Sequence, residues 1–198
     1  MSMMSMMSTI AIVFLGLPGC GKSTIALELE KHLNTVLIEQ DHFYKGKRAD
    51  HDGYLKHIKK ICAESKGEIE QERKTKERKT KKRKLDNKSK RVLLLCKNHH
   101  IKKHLEEVLD ILNEESVRYY LINLVPDTIT EEHISKLLER IEHRNTYSHL
   151  VIDSSSSQKR ARCVLTKGFI EKYEKPSHPY LSLSFMSPLS ENIDKILK

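Results

Sequence analysis

The sequence predicts an α/β protein with a central, mostly parallel sheet and helices on both faces. Three observations carry that expectation. Short apolar runs rich in β-branched residues alternate with longer segments whose apolar residues recur at helical spacing. A glycine-bearing loop joins the first such run to the first such helix. The chain has 198 residues, enough for one domain with a buried core.

The elements follow in order. Residues 9–15, "TIAIVFL", are apolar and β-branched and stop at Gly16, which reads as a buried strand. "STIALELEKHL" then sets Ile25, Leu29 and Leu33 on one helical face. "TVLIEQD" reads as a second strand ending at an acid, and "DGYLKHIKKICAES" as a helix carrying Tyr54, Leu55, Ile58 and Ile61. "RVLLLC" is a third strand, and "IKKHLEEVLDIL" an amphipathic helix. "RYYLINLVP" is a fourth strand closed by Pro126. "TEEHISKLLERIEHR" is a helix that Thr130 can cap, because its hydroxyl accepts an amide proton the helix leaves unpaired. A helix around "LTKGFIEKYEK", a strand "YLSLSF" and a helix "SENIDKIL" complete the series.

Two stretches fall outside it. Residues 1–8, "MSMMSMMS", are low in complexity and read as a disordered N-terminus ahead of a domain spanning 9–198. They lack the basic start of a signal peptide, and the apolar run that follows is too short to span a bilayer, so no membrane association is expected. Within the domain, a basic insertion is expected at about 66–91. From Arg73 to Arg91, twelve of nineteen residues are Lys or Arg. Such a run cannot bury a face and reads as a solvated arm or a frayed helical extension. It is a spacer, a hold on nucleic-acid phosphates, or a nuclear import signal. With a net charge of +9, a polyanionic partner is expected. Cys20, Cys62, Cys96 and Cys163 form no C-x-x-C pair, which suits a reducing, intracellular setting, cytoplasm or nucleus.

The loop is the strongest local signal. "GLPGCGKST" comprises Gly16, Leu17, Pro18, Gly19, Cys20, Gly21, Lys22, Ser23 and Thr24, and matches G-x-x-x-x-G-K-[ST] without a substitution. The glycines let successive N–H groups point inward as an anion nest, and the helix that follows adds its positive end. Lys22 can reach the β and γ phosphates, and Ser23 offers a hydroxyl to Mg²⁺. The motif sits between a strand and a helix, its confirming context, so a P-loop holding ATP or GTP is expected. Cys20 reads as a small filler within it.

Further residues bear on where a terminal phosphate would go. Asp41 ends the second strand, so in an open α/β sheet it faces the crevice of the loop. A carboxylate there accepts a proton from an attacking hydroxyl or helps hold the metal; its plainer use is to cap a turn. Arg140 and Arg144 lie four apart and project from one helical face. Near a triphosphate, one such arginine is worth roughly 10³–10⁵ in rate. On an exposed surface they would instead pair with Glu139 or Glu142. His100 and His104 have the spacing to share a metal, with no third ligand in view.

In order and spacing these pieces resemble the polynucleotide kinase domain of fungal-type tRNA ligases. The resemblance runs from Ile10 to the last helix, through "GLPGCGKST", "IEQD", "LLLCKNHH", "RIEHRNTYSHL" and "TKGFIEKYEKP". It implies a kinase that moves the γ-phosphate of GTP or ATP, with Mg²⁺, to the 5′-hydroxyl of RNA in tRNA splicing or RNA repair. It further implies tRNA halves as acceptors; the family fuses this domain to an adenylyltransferase and a phosphodiesterase, for which 198 residues leave no room, so separate ligase and phosphodiesterase chains are expected. Asp41 would be the general base, Lys22, Arg140 and Arg144 would neutralise the phosphoryl group, and Lys97, Asn98 and His100 would meet the RNA. Cys96 and Lys97 depart from the family's Asp and Arg, and Ser148 and His149 from its His and Gln. The alternatives are a catalytically weakened nucleotide- and RNA-binding module, which Cys96 favours, and a small-molecule or nucleoside kinase, which the basic charge disfavours.

Overall fold

A computed structural model describes residues 9–45, 48–77, 91–97, 102–147, 170 and 173–198. Its strands are β1 (Ile10–Leu15), β2 (Thr35–Glu39), β3 (Tyr44–Lys45), β4 (Arg48–Ala49), β5 (Val92–Cys96), β6 (Arg118–Asn123) and β7 (Leu181–Ser182). The helices are α1 (Lys22–Leu29), α2 (His51–Glu77), α3 (Lys102–Glu114), α4 (Glu131–Tyr147) and α5 (Leu189–Leu197). Five strands form one sheet in the order β2–β5–β1–β6–β7, every pairing parallel. The expected α/β architecture is present.

Alternation along β1 divides the core in two. Ile12 and Phe14 join Leu94, Cys96 and Ile122 beneath Ile25, Ala26 and Leu29 of α1, Leu137 of α4 and Ile193 of α5. Ala11, Val13 and Leu15 face the other way, packing with Tyr54, Ile58 and Cys62 of α2 and Leu105, Val108, Leu109 and Leu112 of α3. Both faces are covered, which is why the central strands read as unbroken apolar runs.

Local chemistry sets several boundaries. Thr130 caps α4: its Oγ1 accepts from the His133 amide at 3.4 Å, while the Thr130 amide donates to His133 Nδ1 at 3.1 Å. Helix α2 continues past the expected end at residue 65 to Glu77, so the start of the basic run extends a helix rather than opening an arm. Its 27 residues make a rod about 40 Å long; residues 78–90 lie outside the described part. The small β3–β4 pair was not expected. Residues 173–176 are irregular rather than the end of a helix, and the expected strand 180–185 shortens to β7. Among the described residues, no helix is long and apolar enough to cross a membrane.

Register brings the ends of three strands level. Phe14 of β1 pairs with Cys96 of β5, and Cys96 with Glu39 of β2. In an open α/β sheet this carboxyl edge is where ligands bind.

Candidate active site

The phosphate loop leaves β1 at Gly16 and turns back into α1. Gly19 has φ +83°, and a Cβ there would lie 3.0 Å from both Ile141 Cγ1 and the Leu137 carbonyl oxygen of α4. Only glycine permits that backbone and that approach together. Gly21, at φ +90°, caps α1 without a side-chain bond, so no side chain competes for the first amides of the helix. Cys20 is buried under the loop, as expected of a filler, and lies 3.7 Å from Lys22 Nζ. Lys22 is buried too, its ammonium donating to the Gly16 and Leu17 carbonyls at 3.0 and 2.9 Å. It therefore lies directly over the loop.

A cavity of about 670 Å³ opens in front of the loop, and residues from five segments line it. The loop supplies Pro18 to Thr24, with Lys22 and Ser23 at its centre. From β2 and the short 3₁₀ turn Gln40–His42 come Glu39 and Asp41; from the end of β5 come Cys96 and Lys97. Helix α4 adds Arg140 and His143, and the segment around α5 adds Phe185 and Asn192. The Arg140 guanidinium stands over the Phe185 ring, 5.8 Å from its centroid. Glu139 beside it binds Lys136 at 2.7 Å, and the Arg140 charge adds a smaller pull on the same carboxylate. Burial pushes the Cys96 thiol far up, and the Glu39 carboxylate adds to the effect, so Cys96 is a neutral group in this wall.

Lys97, which the resemblance would place against RNA, is packed inside the fold. Residues 96 and 97 point to opposite faces, and Lys97 turns toward α2. It is buried, its Nζ contacts His51 Nδ1, and it lies 5.3 Å from the Tyr54 ring centroid. His51 Nε2 in turn meets Glu107 Oε2 at 2.5 Å. Burial lowers the Lys97 pKa to about 8, with Glu107 opposing the shift. The ammonium is thus held toward α2 by the His51 imidazole, with the Glu107 carboxylate beyond it, while the residue still lines one edge of the cavity. His104 stacks near His51, ring centroids 4.2 Å apart, and with Glu107 these form a cluster of metal-ligand type. Both nitrogens of His51 are already engaged, by Glu107 and Lys97, so the cluster reads as a hydrogen-bonded network. Among the described residues, His51 and Glu107 stand beside His104; His100 lies outside the described part.

Of the expected site residues, the fold gathers Lys22, Ser23, Asp41 and Arg140 around one cavity. Asn98, His100 and the side chain of Arg144 lie outside the described part. Glu39, His143, Phe185 and Asn192 were not expected. Glu39 could have been noticed as a second acid, two residues before Asp41, at a strand end. Phe185 and Asn192 carry no local signal at all. The oxygen donors, Ser23 with the carboxylates of Glu39 and Asp41, suit Mg²⁺, which keeps most of its waters and takes few protein ligands. Such an ion would neutralise charge on the phosphates.

Strand order, loop and cavity together define a P-loop domain of the kinase type. The chain belongs to the AAA domain family, whose model matches residues 12–160. No curated protein matches it. Among solved structures, a gluconokinase from Sinorhizobium meliloti is similar at 16% identity and TM-score 0.55, covering 95% of this chain and 89% of that one. The Mycobacterium tuberculosis APS kinase CysC, solved with AMPPNP and APS, matches at 12% identity and TM-score 0.53, covering 96% of each. Chaetomium thermophilum Kti12, solved with ADP-AlF3, matches at 15% identity and TM-score 0.53, over 94% of this chain and 97% of its own. At these identities the likeness is one of fold.

Proposed function

We propose that this protein is a phosphotransferase that moves the γ-phosphate of GTP or ATP to the 5′-hydroxyl of a polynucleotide, RNA first among them. The observation that carries the transfer is the single cavity shared by Lys22, Ser23, Asp41 and Arg140. Lys22 and Arg140 meet the charge that spreads over the transferring group, the largest demand in phosphoryl transfer. Asp41 accepts the proton of the acceptor hydroxyl, which requires only a carboxylate within hydrogen-bond reach. Mg²⁺, on Ser23, assists at the phosphates.

The acceptor is assigned on other grounds. The order of the sequence motifs supports a polynucleotide, and so does a run of twelve Lys and Arg among nineteen residues, which a small substrate would not need. Splicing or repair of tRNA halves is the setting this reading suggests. A small-molecule kinase is the second reading, favoured by the likeness to a gluconokinase and an APS kinase. The test is transfer from γ-labelled GTP or ATP to an RNA oligonucleotide bearing a 5′-hydroxyl. Label on the RNA, absent with Lys22→Ala, is expected; nucleotide and RNA binding without transfer would leave only a binding module.

A further inference from the structure

The acid that the tRNA-ligase resemblance expects at the end of β5 is Cys96, a buried neutral thiol. In P-loop enzymes an acid at such a strand end helps hold the metal, and a thiol serves poorly. A carboxylate nevertheless stands at the same height in the sheet. Glu39 ends β2 and pairs in parallel register with Cys96. Register partners present their side chains to the same face, and Cys96 belongs to the face packed under α1. Glu39 is thereby directed to the side on which α1 begins, with Lys22 and Ser23 in its first turn. It is 8% exposed and lines the same cavity as Ser23. Its ionic neighbour His42 is half exposed and stands 3.7 Å away, beyond hydrogen-bond length. A carboxylate this buried is costly unless a cation or proton donors face it.

We propose that Glu39 has taken over, from the adjacent strand, the task of the missing β5 aspartate: its carboxylate positions the water shell of the nucleotide-bound Mg²⁺. Asp41, two residues on and outside the strand, is then left for the acceptor hydroxyl. The proposal rests on the loop binding a nucleotide and is independent of what accepts the phosphate.

The test is a fluorescence titration of the full chain with mant-GTP and mant-ATP, in MgCl₂ or in EDTA, without RNA. Mg²⁺ should tighten binding to the unaltered protein. In Glu39→Gln that tightening should fall by about 10–100-fold, the usual loss when an outer-shell partner of a metal is removed. Affinity in EDTA should not change. Adding Cys96→Asp to Glu39→Gln returns an acid one strand over and should restore the response to Mg²⁺, which no merely structural role for Glu39 would produce. A normal Mg²⁺ response in Glu39→Gln overturns the proposal, as does a double variant no better than the single one. If circular dichroism shows Glu39→Gln unfolded, Glu39→Asp is titrated instead; a weakened response supports the proposal and a full one overturns it. An unaltered protein that ignores Mg²⁺ overturns it as well. No acceptor is present, so none of these results touches the choice of acceptor.

Discussion

One wall of the cavity is made from consecutive residues, Pro18 to Thr24, whereas the opposite wall draws Glu39 and Asp41, Cys96 and Lys97, and Arg140 from three distant segments. The first wall works through backbone: glycines at positive φ, a helix start, and a lysine laid over its own loop. The second works through side chains whose direction depends on strand register. A local site survives as a motif, while an assembled one can exchange its parts between neighbours. Glu39 beside Cys96 is such an exchange.

The largest effect should come from the local wall. Lys22→Ala should reduce phosphoryl transfer by at least about 10³-fold, since it removes a cation from the transferring group. A residual rate near normal would mean the loop does not hold the reacting phosphate. In the assembled wall, Asp41→Ala should lower the rate by about 10²-fold or more while nucleotide affinity holds, as expected for loss of a general base. Weakened nucleotide binding with unchanged turnover would instead move Asp41 to the metal.

Smaller effects are expected in stability. Gly19→Ala forces a left-handed backbone and crowds Ile141 and the Leu137 carbonyl of α4. It should cost roughly 1–2 kcal/mol, read as a lower midpoint in urea; a neutral result would mean that α4 yields easily. Lys97 tests the far corner. Its pKa falls from 10.5 to about 8 on folding, so between those values the unfolded chain binds more protons and stability rises with pH. Lys97→Met should abolish that rise, which amounts in full to roughly 3 kcal/mol. A persisting rise would assign it to another group.

The sequence made the fold legible because both kinds of period were clear: buried runs at strand length and apolar stripes in α3 and α4. The loop was legible for the same reason, being local. Lys97 was assigned to RNA through the resemblance alone, and the sequence carries no sign of its direction; alternation past Cys96 turns it toward α2. Glu39 went unnoticed because its burial depends on β5 pairing with β2, across more than fifty residues of chain. Helix α2 continues past its apolar stripe since Lys, Arg, Glu and Gln are in themselves good helix formers.

The most direct measurement is a competition for label in one tube. A 5′-hydroxyl RNA, its DNA counterpart and a free nucleoside are offered together with γ-labelled GTP, then with ATP. Label is expected on the RNA 5′ end, lost with Asp41→Ala. Label on the nucleoside alone would contradict a polynucleotide acceptor.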